Sequence, residues 1–175
     1  ATFGVEDWIY LSQHILVLGI SLWRRDPVVL DQSWPTATAV IVSYAYPYAQ
    51  VAYLNWSVGH VAWSGGGIAL VIFSALLSLA ALLSIGRLFG VRPALRGIAT
   101  IVPYRLVRHP MYLAYVIGDI GYLLEEWNAG LVIIVAAGWA SLAYRIHAEE
   151  QVLSAHPGWP AYVGRTPYRL APGLW

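Results

Sequence analysis

Between Gly67 and Gly86 the chain carries no charged, amide or proline residue, and this uninterrupted apolar run constrains the fold more than any other stretch. At 1.5 Å per residue, a helix over 68–85 is about 27 Å long, close to the ~30 Å hydrocarbon thickness of a bilayer. Only 11% of the residues are charged, against about 25% in ordinary globular domains. The chain therefore reads as an all-α integral membrane protein.

Four further apolar runs fit the same class. Residues 8–23 are bracketed by Trp8 and Trp23, as an interfacial belt would place them, and stop at Arg24-Arg25. Residues 36 to about 56 carry Tyr44, Tyr46, Tyr48, Tyr53 and a central Pro47, so a kinked span is expected. Residues 110–124 are short for a perpendicular span, and Glu125-Glu126-Trp127-Asn128 turns them back into 129–150 as a helical hairpin. Residues 26–35 and 55–67 read as loops, and 87–107 as a basic connection too polar to cross. From Gln151 an irregular cytoplasmic cap is predicted. The expectation is one domain over 1–175 with about five transmembrane helices: three N-terminal spans in 1–86, then connection, hairpin and cap in 87–175.

Sidedness follows from the arginines, because the chain has ten of them and no lysine. Five spans bring all ten to one face and put Glu6, Asp7, Glu125 and Glu126 on the other. The positive-inside rule makes the arginine face cytoplasmic and the N-terminus external, in a membrane expected to be the bacterial inner one. With Glu6 and Asp7 ahead of the first apolar run, no cleavable signal is expected.

Composition also excludes chemistry. There is no cysteine, hence no disulfide, thiolate metal site or thiol nucleophile. His14 and His60 lack metal-ligand spacing, His147 and His156 read as aqueous surface, and no metal site is expected. A net charge of +1 carries no nucleic-acid signal. Most tyrosines and tryptophans read as belt and packing residues. Asp119, near mid-membrane by its distance from Pro110, is expected to face another helix and to be hydrogen-bonded there; it is the one feature behind a carrier or channel reading.

Polar groups concentrate in 102–114 and 145–150. Pro110 suits a first helical turn, which puts His109 at a helix start, where free N–H groups and the dipole favour an anion. Arg105 and Arg108 add the same sign. Arg145 and Glu149 are four apart on one helix face, in the order that supports an isolated helix poorly, so helix stabilisation explains the pair weakly.

The series Pro103-Tyr104-Arg105-x-x-Arg108-His109-Pro110-x-Tyr112, a hairpin, Arg145-Ile146-x-x-Glu149-Glu150, and Tyr162 before Tyr168-Arg169-Leu170-x-Pro172-Gly173 resembles the isoprenylcysteine carboxyl methyltransferase family and its phospholipid-methyltransferase relatives, over about half the chain. The resemblance implies an S-adenosylmethionine-dependent methyltransferase in the bilayer acting on a lipophilic acceptor, an isoprenoid-like carboxylate or a phospholipid amine. It implies cofactor contacts from Tyr104, Arg105, His109, Tyr112, Glu149 and Glu150, with Arg145 and Glu149 at the reacting group. Val102 and Ala114 stand where that family usually has glycine, and their bulk is expected to narrow the cofactor pocket. The alternative is a silent member serving as a structural subunit beside other membrane proteins.

Overall fold

A computed structural model describes residues 15–58, 61 and 64–173. Helical residues 15–23 form α1. They are followed by β1 (Val29–Leu30), α2 (Trp34–Ser57), α3 (Gly65–Ile85), a single 3₁₀ turn (Gly86–Leu88), β2 (Ala94–Leu95), α4 (Pro110–Glu125), α5 (Ala129–Leu153) and α6 (Trp159–Arg165). Trp8, Glu6, Asp7, His14 and His60 lie outside the described residues.

Helix starts follow local chemistry. Pro35, Pro110 and Pro160 occupy first turns, where a missing N–H costs no intrahelical bond. Asn128 accepts from Leu131 N at 2.9 Å and starts α5. The first turn of α3 is satisfied from a distance: Glu125, at the end of α4, accepts from Gly67 N at 2.7 Å, Ser64 N at 2.7 Å and Ser64 Oγ at 2.6 Å. A carboxylate suits this positive helix end.

Two helix pairs make the bundle. α3 packs along α4, where a Cβ on Gly121 would come within 2.9 Å of the Gly67 carbonyl oxygen. α2 packs along α5, where the ring of Tyr46 lies on Gly138. Asp119 on α4 joins the pairs: its Oδ2 accepts from Tyr46 on α2 at 3.2 Å and from Trp139 on α5 at 2.7 Å. The residue is buried and faces its neighbours, as expected of an acid at that depth.

The chain order places the ends of α1, α3 and α5 and the starts of α2 and α4 at one end of the bundle, and all ten arginines gather there. They tie the connections together. Arg25 N donates to the Arg87 carbonyl at 2.8 Å, Arg87 Nε to that of Trp23 at 3.2 Å, and Arg96 Nε to that of Arg25 at 2.9 Å. Glu125 and Glu126 lie at the opposite end.

Two expectations need correction. The 26–35 loop and the 87–107 connection are not merely irregular; β1 and β2 pair antiparallel, Val29 with Leu95 and Leu30 with Ala94. The cap after Gln151 contains α6, because Pro160 opens a helix instead of breaking one. The expected helix with Pro47 inside it is α2. By length and composition two segments, Gly65–Leu88 and Ala129–Leu153, are long and apolar enough to cross a membrane. α2 has the length, but its tyrosines and Gln50 dilute its apolarity, and α4 spans only about 24 Å.

Gly138→Ala should be a costly helix substitution. Its Cβ would lie 2.6 Å from the Tyr46 ring, and overpacking of this kind costs about 1–3 kcal/mol. Thermal unfolding in detergent should register that loss, whereas Gly66→Ala, which meets nothing within 4 Å, should register none.

Candidate active site

Arg108 and His109 are held by a short backbone pairing to the C-terminal segment. Arg108 N donates to Tyr168 O and His109 N to Arg169 O, each at 2.9 Å. This pairing fixes the entry to α4, for which His109 is the N-cap residue. Below it, Tyr162 on α6 donates to the Tyr104 carbonyl at 2.9 Å. Burial pushes the Tyr162 phenol up to about 12, which keeps it a donor.

Glu150 on α5 binds three cations. Its Oε1 accepts from Arg108 Nε at 2.7 Å and lies 3.2 Å from His109 Nε2, and its Oε2 accepts from Arg169 Nε at 2.9 Å. Arg108 Nη1 also donates to the carbonyls of Thr166 and Pro167, at 2.9 and 2.7 Å. One carboxylate thus fastens α5, the start of α4 and the tail.

Glu149 is the next residue, about 100° further round the helix, and it faces a different space. Tyr112 donates to its Oε1. Arg145 Nη2 lies 3.6 Å from the same oxygen, and His109 Nδ1 3.6 Å from Oε2. Arg145 also donates to Ser43 Oγ on α2 at 2.7 Å and to the Val91 carbonyl at 3.1 Å, with its guanidinium 5.2 Å from the Tyr112 ring centre and 5.6 Å from that of Tyr44. Its Nε is buried with no partner.

These residues line one cavity. Tyr104, His109, Tyr112, Arg145 and Glu149 form its wall, joined by Tyr44 from α2, Arg92 and Arg96 from the connection, and Trp159 and Tyr162 from α6. The cavity offers both signs of charge, with Glu149 opposite several arginines. Burial and then Glu149 hold the Tyr104 phenol well above its ordinary range, so it too remains a donor.

Five of the seven expected site residues therefore line the cavity together. Glu150 sits behind it as the clamp just described. Arg105 is exposed and outside, since the turn over 103–106 directs neighbouring residues to different sides; its carbonyl faces Thr166 Oγ1 at 3.5 Å. Val102 and Ala114 line no part of the cavity: Val102 is 60% exposed and its carbonyl accepts from Ser84, while Ala114 is packed inside the bundle. Their bulk therefore does not narrow it. Sequence reasoning missed Ser43 and Tyr44, which no spacing links to Arg145, read Arg108 as a source of positive field, and did not link Arg169 to Glu150.

The model of the isoprenylcysteine carboxyl methyltransferase family matches residues 67–155, just over half of the 175-residue chain. No curated protein and no solved structure matches. The matched stretch runs from the start of α3 past the end of α5. It includes Tyr104, His109, Tyr112, Arg145 and Glu149, but not Ser43, Tyr44, Tyr162 or Arg169.

His109 gives the site a pH signature. Burial disfavours its imidazolium, but the hydrogen bonds and charges of Glu149 and Glu150 outweigh burial and raise its pKa above 6.5. The stabilisation it provides is complete below that value and is lost as pH rises through the raised one. Thermal stability should accordingly fall with rising pH across this window in the wild type, and His109→Gln should flatten the profile.

Proposed function

We propose that this chain, which belongs to the isoprenylcysteine carboxyl methyltransferase family and is by family a membrane methyltransferase, transfers a methyl group from S-adenosylmethionine to a lipophilic acceptor. One observation carries the reading. Arg145 and Glu149 line one cavity together with His109, Tyr104 and Tyr112. Cation, carboxylate and phenol groups converge there, and a zwitterionic amino-acid moiety matches a wall of both signs.

Bound there, the cofactor supplies an electrophilic methyl group on a sulfonium. Glu149, held by the Tyr112 hydroxyl that donates to it, would hold positive charge, and Tyr104 would donate a hydrogen bond. His109, at the start of α4, would orient a carboxylate together with the arginines. Glu150 acts behind them by fixing Arg108 and His109. Arg145, reaching from α5 to Ser43, is the cation best placed to align an acceptor. A carboxylate acceptor requires only alignment and exclusion of water. An amine must first lose a proton, for which Glu149 is the acceptor in the wall.

The same reading sets α1 to α5 as five spans, with the arginine end cytoplasmic in a bacterial inner membrane. It is supported by the gathering of all ten arginines at one end of the bundle. The chain lacks cysteine, so single thiols can report sidedness. Trp127→Cys, at an exposed position in the hairpin turn, and Leu106→Cys, exposed at the arginine end, should be labelled by an impermeant reagent from opposite faces, the first from outside. Labelling of both from one face would remove the topology.

Cofactor binding has its own test. S-adenosylmethionine at a hundred times Kd should stabilise the purified protein by about 2.7 kcal/mol. Glu149→Gln should abolish most of that shift, while Arg105→Ala, outside the cavity, should retain it. A methyl-labelled cofactor should then pass label to a lipid of the host extract. A wild-type protein without any shift would overturn the reading.

A further inference from the structure

A second cavity lies deeper in the bundle and shares a wall with the first: Tyr44, Met111, Tyr115 and Arg145 line both. Its own lining adds Tyr46, Ser74, Ser78 and Asp119 to apolar residues of α2, α3 and α4. A plain hydrocarbon tail gives no reason for hydroxyls and a carboxyl group in such a wall. Acids at this depth are costly and mark binding or transport paths.

Asp119 is satisfied on one side only. Both hydrogen bonds it accepts from neighbouring helices, from Tyr46 and Trp139, fall on Oδ2. Asp119 itself lines the cavity. At the opposite end stands the Arg145 cation. Asp119 is seven residues from Tyr112, over whose ring the Arg145 guanidinium lies, which is roughly 10 Å along α4. Trp139 and Arg145, six residues apart on α5, give roughly 9 Å by the same rise.

We propose that this second cavity is the acceptor chamber, and that it selects an amphiphile with a carboxylate at the Arg145 end and a hydrogen-bond donor, an amine or a hydroxyl, at Asp119. The proposal rests on the methyltransferase reading only for the word acceptor. Arg145 aligns the carboxylate at the boundary of the two cavities, where a methyl group would arrive, and Asp119 sets the distance to the second polar group. Asp119 is on this account a specificity-determining residue, remote from the reacting atoms.

Octanoic acid and its terminally aminated and terminally hydroxylated analogues are suitable probes, with binding measured to the intact protein in lipid nanodiscs without cofactor. The aminated and hydroxylated acids should bind roughly tenfold or more tighter than octanoic acid, a difference equivalent to about 1.4 kcal/mol. Asp119→Asn keeps an oxygen for Tyr46 and Trp139 but turns an NH₂ toward the cavity, so it should erase the advantage of the aminated acid, whose ammonium cannot accept a hydrogen bond, and leave octanoic acid unchanged. Trp139→Phe loosens the same junction without altering the cavity wall, and should preserve the advantage. Equal affinity of all three acids for the wild type would overturn the proposal, as would an advantage of the aminated acid that survives Asp119→Asn or disappears in Trp139→Phe. The amine-to-hydroxyl ratio shows which donor the chamber prefers. S-adenosylmethionine binding, measured on the same sample, separates the two claims. Selective probe binding in a protein that never binds cofactor would remove the methyltransferase reading and keep the chamber, and the reverse result would do the opposite.

Discussion

The site depends on the Glu150 carboxylate. It lies within hydrogen-bonding range of Arg108, His109 and Arg169, which belong to the connection, to the start of α4 and to the tail. α4 and α5 are packed mainly on α3 and α2, so these segments are joined by the backbone pairing of Arg108 and His109 with Tyr168 and Arg169 and by this carboxylate. A buried charge pair with a partner removed is strongly destabilising, whereas a fully hydrogen-bonded one defines a geometry. Glu150 therefore acts as a staple that, with the backbone pairing, holds His109 and the tail in place. Its neighbour Glu149 is left to face the cavity, so two adjacent acids have separate tasks because a helix turns about 100° between them.

Much of this was legible in the sequence where the chemistry is local. His109 and Tyr112 sit three apart at a proline-marked helix start, and Arg145 and Glu149 four apart on one face, and the cavity gathers all four. Helices α3, α4 and α5 fell within a few residues of their expected bounds, because an apolar run ended by charges or a turn is a strong signal. Asp119 was expected to be buried and bonded for the same solvation reason. What failed depends on register and distance. Arg105 and Glu150 were grouped with their neighbours although consecutive residues point apart. Ser43 meets Arg145 across 102 positions of sequence, which no motif reveals. The β1–β2 pairing involves two residues on each side, too few for any period.

The charge asymmetry seen first as topology has a second use. The arginines at one end are not only surface anchors: Arg25, Arg87 and Arg96 join backbone segments, and Arg92, Arg96, Arg108 and Arg145 line the cavity. Four of the ten arginines thereby build a polar chamber at that end of an otherwise apolar bundle. At the far end a single carboxylate, Glu125, closes the first turn of α3.

α2 adds a separate consequence. It lies outside the stretch matched by the family model, yet it supplies Ser43, Tyr44 and Tyr46 to the walls. Residues outside the matched stretch therefore complete both walls. Two proteins alike from α3 to α5 but different in α2 would share most of each cavity and differ at the positions of Ser43, Tyr44 and Tyr46. Diversification in such an architecture can proceed by exchanging one helix.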